Sequence, residues 1–185
     1  MGKVLERIKQ QGYLALWHEY RYGHIQDLSG NGYNGTFAGN ARMRKTELGF
    51  GVDFDGTNSL VTVGDIGLVK SVLVSLKGRE TTDGVLELIN NTAYVHLNAG
   101  ALTSTGFTGP VYYVQGLAGT AVSQSAFQWC LVSSDTGIAA GSFLVGEANG
   151  DYFNGTIGTV LAFRQLIVAT EASQIFGELH PWGVP

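Results

Sequence analysis

Short apolar runs alternating with polar residues make up most of this chain, and Gly, Asn and Ser interrupt them at intervals of roughly 8–12 residues. Tyr13-Leu14-Ala15-Leu16-Trp17 reads as a strand, and the dense turn Asp27-Leu28-Ser29-Gly30-Asn31-Gly32 follows it. Gly35-Thr36-Phe37 and Gly51-Val52-Asp53-Phe54-Asp55-Gly56 come next. Over residues 59–63 Leu60 and Thr62 alternate with Val61 and Val63, and over 72–76 Val72, Val74 and Leu76 share one face. Residues 85–89 and 94–97 predict a hairpin across Asn90-Asn91-Thr92, with further strands at 111–114, 127–132, 142–145 and 156–163. Many short strands with regular turn signals predict a sandwich or barrel.

Two stretches carry a helical period instead. Residues 3–11 place Val4, Leu5 and Ile8 on one side of a helix too short to be stable alone, so it must dock on its own domain or on a partner. Near the end, Thr170 caps a helix beginning at Glu171, Ile175, Phe176 and Leu179 form its apolar stripe, and Pro181 stops it. The expected organisation is an N-terminal arm over residues 1–12, one domain over 13–179 and a tail over 180–185.

Composition sharpens this picture. Glycine is twice its usual share, at 27 of 185 residues, and charged residues are only 14%. That combination suits strand corners and argues against long exposed helices. The net charge of −4 gives no electrostatic footprint for nucleic acid or for an anionic membrane. The nearest basic cluster, Arg42, Arg44 and Lys45, reads as a solvated loop. Cys130, the only cysteine, sits in an apolar run and reads as a small buried hydrophobe. The N-terminal residues lack the apolar stretch of a signal peptide, so the Asn34, Asn90 and Asn154 sequons read as turns and synthesis is expected in a host cytoplasm.

No set of residues carries catalysis. Asp53 and Asp55 have the two-residue spacing of a strand-borne carboxylate pair but lie in a Phe-Asp-Gly turn segment, and Glu147 and Asp151 flank a Gly-rich loop. His18, His24, His96 and His180 are scattered, without a cysteine cluster or a second histidine at zinc spacing.

Leu14-Ala15-Leu16-Trp17-His18 followed by Asp27-Leu28-Ser29-Gly30-Asn31-Gly32-Tyr33-Asn34-Gly35-Thr36 resembles the opening of laminin-G-like domains of the concanavalin A-like superfamily. Phe54-Asp55-Gly56 before Leu60-Val61-Thr62-Val63 is similar to a segment of that family. The stretch from Phe153-Asn154-Gly155-Thr156 to Phe163-Arg164, with Leu166 and Glu171 after it, resembles its last long strand and short helix. The resemblance implies an all-β fold: a two-sheet antiparallel jelly-roll sandwich with first and last strands adjacent, here with a short C-terminal helix and a short N-terminal helical arm. It implies calcium as the one candidate cofactor, with Asp27 carried over as its ligand; Gly158 stands where the family often has an acid.

The resemblance and the missing catalytic set predict a non-catalytic virion surface protein, such as a phage head decoration, tail or fibre component. Its partners would be other virion proteins and itself, through Val4, Leu5 and Ile8. The alternative is a carbohydrate-binding module using Tyr112, Tyr113 and Tyr152, with Trp129 in the core; a glycoside hydrolase is the remote third reading.

Overall fold

Turn residues cut the chain into short extended pieces, and the computed structural model, which describes residues 3–179, pairs nearly all of them. In chain order the elements are α1 (Lys3–Gln10), β1 (Leu14–Glu19), a 3-10 turn (Tyr20–Tyr22), β2 (Thr36–Ala38), β3 (Arg42–Thr46), β4 (Gly49–Asp55), β5 (Leu60–Gly64) and β6 (Gly67–Gly78). There follow β7 (Asp83–Ile89), β8 (Ala93–Asn98), β9 (Ala101–Thr105), β10 (Val111–Val114), β11 (Leu117–Ala118) and β12 (Gln128–Ala140). The last are β13 (Phe143–Val145), β14 (Glu147–Ala148), β15 (Asp151–Tyr152), β16 (Asn154–Phe163) and α2 (Ala169–Leu179).

Two antiparallel sheets face each other. The larger has the order β11-β10-β12-β6-β16-β4-β3, with β1 also on β16; the smaller has the order β2-β5-β13-β7-β8-β9. β16 serves both β4 and β1 along one edge because it is long: Asn154–Ile157 pair with β4 and Thr159–Phe163 with β1. First and last strands are therefore neighbours, as the resemblance implies. Between the sheets lies the main core, in which Phe54 and Phe153 meet edge to face with ring centres 6.0 Å apart.

The larger sheet is buried on both faces. Leu73, Leu131 and Leu161 point away from the main core into a second apolar layer with Leu5, Ile8, Ile175 and Phe176 from the two helices. This corrects the expected partner surface. Leu5 is 1% and Ile8 0% exposed, Val4 packs against the same layer, and the Val4 and Leu5 N–H groups donate to the Glu178 carboxylate of α2 at 2.7 and 3.1 Å. An anionic acceptor at the start of α1 satisfies donors that have no intrahelical partner. The short helix thus docks on its own domain, and Leu5 and Ile8 have no surface left for another chain.

Other differences concern extent. β6 and β12 run well beyond the apolar stretches that predict them, because a strand between two paired neighbours continues through polar residues such as Ser71 and Ser133. Arg42, Arg44 and Lys45 lie on an edge strand, β3, paired with β4 from Arg42–Asp53 to Thr46–Gly49, and not in a loop. Charged side chains on an edge strand discourage further pairing and disguise it as a loop in the sequence. The C-terminal helix begins at Ala169, just before its expected cap.

Candidate functional site

On β8 the side chains alternate strictly: Ala93, Val95 and Leu97 enter the main core, so Tyr94, His96 and Asn98 project from the outer face of the smaller sheet. β9 sets Thr105 opposite Tyr94 and Thr103 opposite His96. These five residues, with Thr82 and Asn149, line an open trough of about 320 Å³. Its size falls at the lower end of small-ligand sites. The Tyr94 ring lies edge-on to the His96 ring, 6.4 Å between centres.

The trough has one built wall, the β14–β15 hairpin, folded over the outer face of β7. A side chain at Gly84 would collide with it: a Cβ there would lie 2.0 Å from the Asp151 carbonyl and 2.5 Å from the Ala148 nitrogen. Only glycine admits so close a backbone approach. Buried carboxylates then hold the hairpin. Glu87 accepts the Asn149 N–H at 2.7 Å and the Asn91 N–H at 3.0 Å, and Glu147 accepts the Gly150 N–H. Burial raises the Glu147 carboxyl above its ordinary range; the Gly150 N–H opposes the rise and the neighbouring Glu87 adds to it. Asp151 reaches over to His96, Oδ2 to Nε2 at 2.9 Å, so strand and hairpin are joined at the trough.

Asp83 lies at the start of β7. It is 2% exposed, and its Oδ1 accepts the Asn154 N–H at 3.3 Å while Oδ2 has no partner among the described residues. Burial pushes its carboxyl up to about 7; the Asn154 N–H opposes this, and Glu80 and Asp151 reinforce it.

Asp27 closes its own turn. Oδ1 accepts the N–H groups of Trp17 and Ser29 at 3.0 and 2.9 Å, and Oδ2 accepts the Ser29 hydroxyl and the Tyr33 N–H at 2.7 and 3.0 Å. Burial pushes its pKa up, but these four hydrogen bonds outweigh it and hold the carboxyl below the usual range. Both oxygens are spent on the chain, and among the described residues no three His, Cys, Asp or Glu side chains come together to hold a metal ion. The residues present do not fit a calcium ion at Asp27, which corrects that expectation.

Tyr113 is buried and offers no stacking face, and Tyr112 is half-buried. Tyr112 packs against the main core with its hydroxyl 2.9 Å from Ser104 Oγ, and Tyr113 is 7% exposed in the layer beneath the helices. Adjacent strand residues face opposite ways, but both faces of this sheet are covered. Tyr152 is half-buried in the hairpin, opposite Glu147. Trp129 is wholly buried, in the second layer, and Cys130 is buried in the main core, its thiol pushed up to about 12.

The candidate catalytic pair is structural in its bonding. Asp53 binds Arg79 and Arg44, and Asp55 accepts from Asn40, Ser59 and the Thr57 and Asn58 N–H groups to close its turn. The two carboxylates line one small open cleft of about 270 Å³ with Asn40 and Arg42. Sequence reasoning placed the β8 strand but passed over its wet face. The signal was present in Ala93-Tyr94-Val95-His96-Leu97-Asn98, where a period of two exposes a tyrosine, a histidine and an amide in succession.

No protein-family model and no curated protein sequence matches the chain. Solved structures do. Domain 4 of the extracellular GH43 arabinanase AbnA of Geobacillus stearothermophilus, solved with arabinotriose, is similar at TM-score 0.58 and 13% identity, over 88% of this chain and 98% of that domain. The binding domain of Paraclostridial Mosquitocidal Protein 1 is similar at TM-score 0.66 and 11% identity, over 93% of this chain and 53% of its own length. A botulinum neurotoxin type C structure, whose cell entry depends on interaction with two ganglioside molecules, is similar at 0.56 and 13%, over 95% and 53%. The chain thus spans about half the length of these toxin chains and nearly all of the arabinanase domain. At such identities the likeness establishes the fold alone, and the chain is a two-sheet antiparallel β-sandwich domain of the jelly-roll kind.

Proposed function

We propose that the domain is a non-catalytic glycan-binding module whose ligand lies in the trough on β8 and β9. The observation that carries this is the row Tyr94, His96 and Asn98 on the outer face, with the Thr103 and Thr105 hydroxyls beside it. A tyrosine ring offers an apolar face to the C–H side of a sugar, while amide, imidazole and hydroxyl groups bond its hydroxyls. Catalysis by paired carboxylates has no support in this trough, because Glu87 and Glu147 are committed to backbone N–H groups of the hairpin. The arabinotriose carried by the similar arabinanase domain favours the same reading.

Titration with neutral oligosaccharides, arabino-oligosaccharides first, tests it. Binding is expected in the micromolar to millimolar range, weakened about tenfold or more by Tyr94→Ala and by Asn98→Ala, with no turnover. Equal binding by the variants, hydrolysis of the ligand, or no binding by any neutral glycan would overturn it.

We further propose that the module works on a virus particle, in contact with copies of itself or other particle proteins. Support comes from the 14% charged content and from an exposed apolar edge: Val111 is 42% and Val168 45% exposed, and Ser133, cross-strand partner of Val111, donates to the Ile167 carbonyl.

A further inference from the structure

The basic residues Arg42, Arg44 and Lys45 stay unused in the glycan reading, and the fold brings two more cations to them. Arg44 and Lys45 on β3 meet Lys77 at the end of β6 and Arg79 just beyond it, across a groove of about 440 Å³ on the larger sheet. Four of the chain's eleven lysines and arginines line this one groove, in a protein of net charge −4. Two acids balance them in part: Glu47 pairs with Lys77 at 2.9 Å, and Asp53 is shared between Arg79 and Arg44. An excess of positive charge remains.

The cations differ in mobility. Arg79 is pinned, with Nη1 donating to the Phe54 carbonyl at 3.0 Å and to Asn154 Oδ1 at 3.2 Å, and Nη2 to Asp53. Arg44 touches Asp53 only at 3.4 Å and its side chain is 58% exposed, while Lys45 makes no ion pair among the described residues. A fixed guanidinium beside one loosely paired and one unpaired cation is an arrangement that receives an anion from solvent.

The floor is not basic. Gln124 and Thr156 supply uncharged hydrogen-bonding groups there, above the buried Phe127. Behind Phe127, three buried polar atoms have no partner among the described residues: Ser75 Oγ, Trp129 Nε1 and Arg21 Nη1. They lie close together. A Cβ on Gly158 would sit 2.8 Å from Ser75 Oγ, 3.7 Å from the Phe127 ring and 3.8 Å from the Arg21 side chain, and Arg21 lies over the Trp129 ring at 5.3 Å.

We propose that this groove binds an acidic saccharide, its carboxylate or sulfate held by Arg44, Lys45 and Arg79 and its hydroxyls met by Gln124 and Thr156. The site lies on the opposite sheet from the trough and stands or falls independently of it. A sugar is favoured over a nucleic acid because the groove presents no open aromatic face on which successive bases could stack: Phe127 in its lining is only 2% exposed.

The test is calorimetric titration of the full chain with a sulfated oligosaccharide (a heparin hexasaccharide), a uronate oligomer (an oligogalacturonate), neutral dextran of the same length and single-stranded DNA of matched charge. Binding of at least one acidic oligosaccharide is expected, weakened about tenfold by R44Q/K45Q and by raising salt to about 0.5 M, and unaffected by Tyr94→Ala. Which oligomer binds identifies the anion as sulfate or carboxylate. A thermal melt of R44Q/K45Q confirms folding, both side chains being exposed. Failure of both acidic oligomers to bind, equal binding by R44Q/K45Q, equal binding of dextran, or tighter binding of the DNA would overturn the proposal.

Discussion

Asp83 and His18 are the residues at which burial and charge conflict most directly. The folded protein keeps a proton on Asp83 up to about pH 7, whereas the unfolded chain loses it near 3.8. Between those values the folded state binds more protons, so this carboxyl's share of stability is complete below about pH 4, declines as pH rises, and is gone above about pH 7. Asp83→Asn removes the ionisation. It is expected to raise Tm by a few degrees at pH 8 and hardly at all at pH 4, as read by calorimetry across that range. A gain equal at both pH values would mean that the carboxyl is not protonated in the fold. His18 acts in the opposite direction. It is fully buried, and burial lowers its pKa, opposed by the hydrogen bond to Tyr33. Since the Tyr33 carbonyl can only accept, Nε2 carries the hydrogen and Nδ1 accepts from the Tyr20 hydroxyl, a neutral tautomer. The unfolded chain protonates His18 below about pH 6.5, which costs stability there. Both proteins share that loss, so the difference between them isolates Asp83.

Among the elements, α1 shows how far a local reading reaches. Its apolar side was plain from Val4, Leu5 and Ile8, and the requirement for a surface followed from its length. The surface itself belongs to α2 and the outer face of the larger sheet, and the Glu178 carboxylate and the Arg7–Glu171 pair at 2.9 Å complete the contact. Ile8→Ala should therefore destabilise the isolated protein by about 2–4 kcal/mol in urea unfolding, the usual result of emptying a buried site. A loss under about 1 kcal/mol would show that the helix does not depend on this packing. The β14–β15 hairpin is the opposite case. Two-residue strands carry almost no periodic signal, yet this one walls the trough, because Gly84 lets it lie on β7 and Glu87 holds its Asn149 N–H.

For the whole molecule the layering decides what the surface offers. With helices over one sheet and a hairpin over part of the other, the open regions are the trough on β8 and β9, the basic groove and the strand edges. An exposed apolar edge at Val111 and Val168 suits contact with other protein. The particle role therefore predicts many copies of the chain per particle, counted by mass spectrometry of purified virions, and its absence from them would remove that role.

The positions of the longer apolar strands, the Asp27 turn, the burial of Trp129 and Cys130 and the C-terminal helix were legible in the residue pattern, whereas β9, β11, β14 and β15 were not. Each legible feature reflects a local rule, periodicity or turn chemistry, that operates over a few residues. The same pattern pointed to Tyr112 and Tyr113 for ligand binding and to Val4, Leu5 and Ile8 of the N-terminal helix for a partner, and it treated β3 as a loop. Those readings required knowing which faces are covered and which residues distant in sequence become neighbours. Sequence by itself determined that this chain makes many short strands of a sandwich or barrel, because alternation and turns record the pleat directly, and the family resemblance narrowed this to the antiparallel sandwich. Only the tertiary structure decided that Tyr94, His96 and Asn98 line a trough and that Arg44, Lys45, Lys77 and Arg79 share a groove. These groupings arise from strand order and from helices and a hairpin packing on sheet faces, long-range choices that no local period encodes.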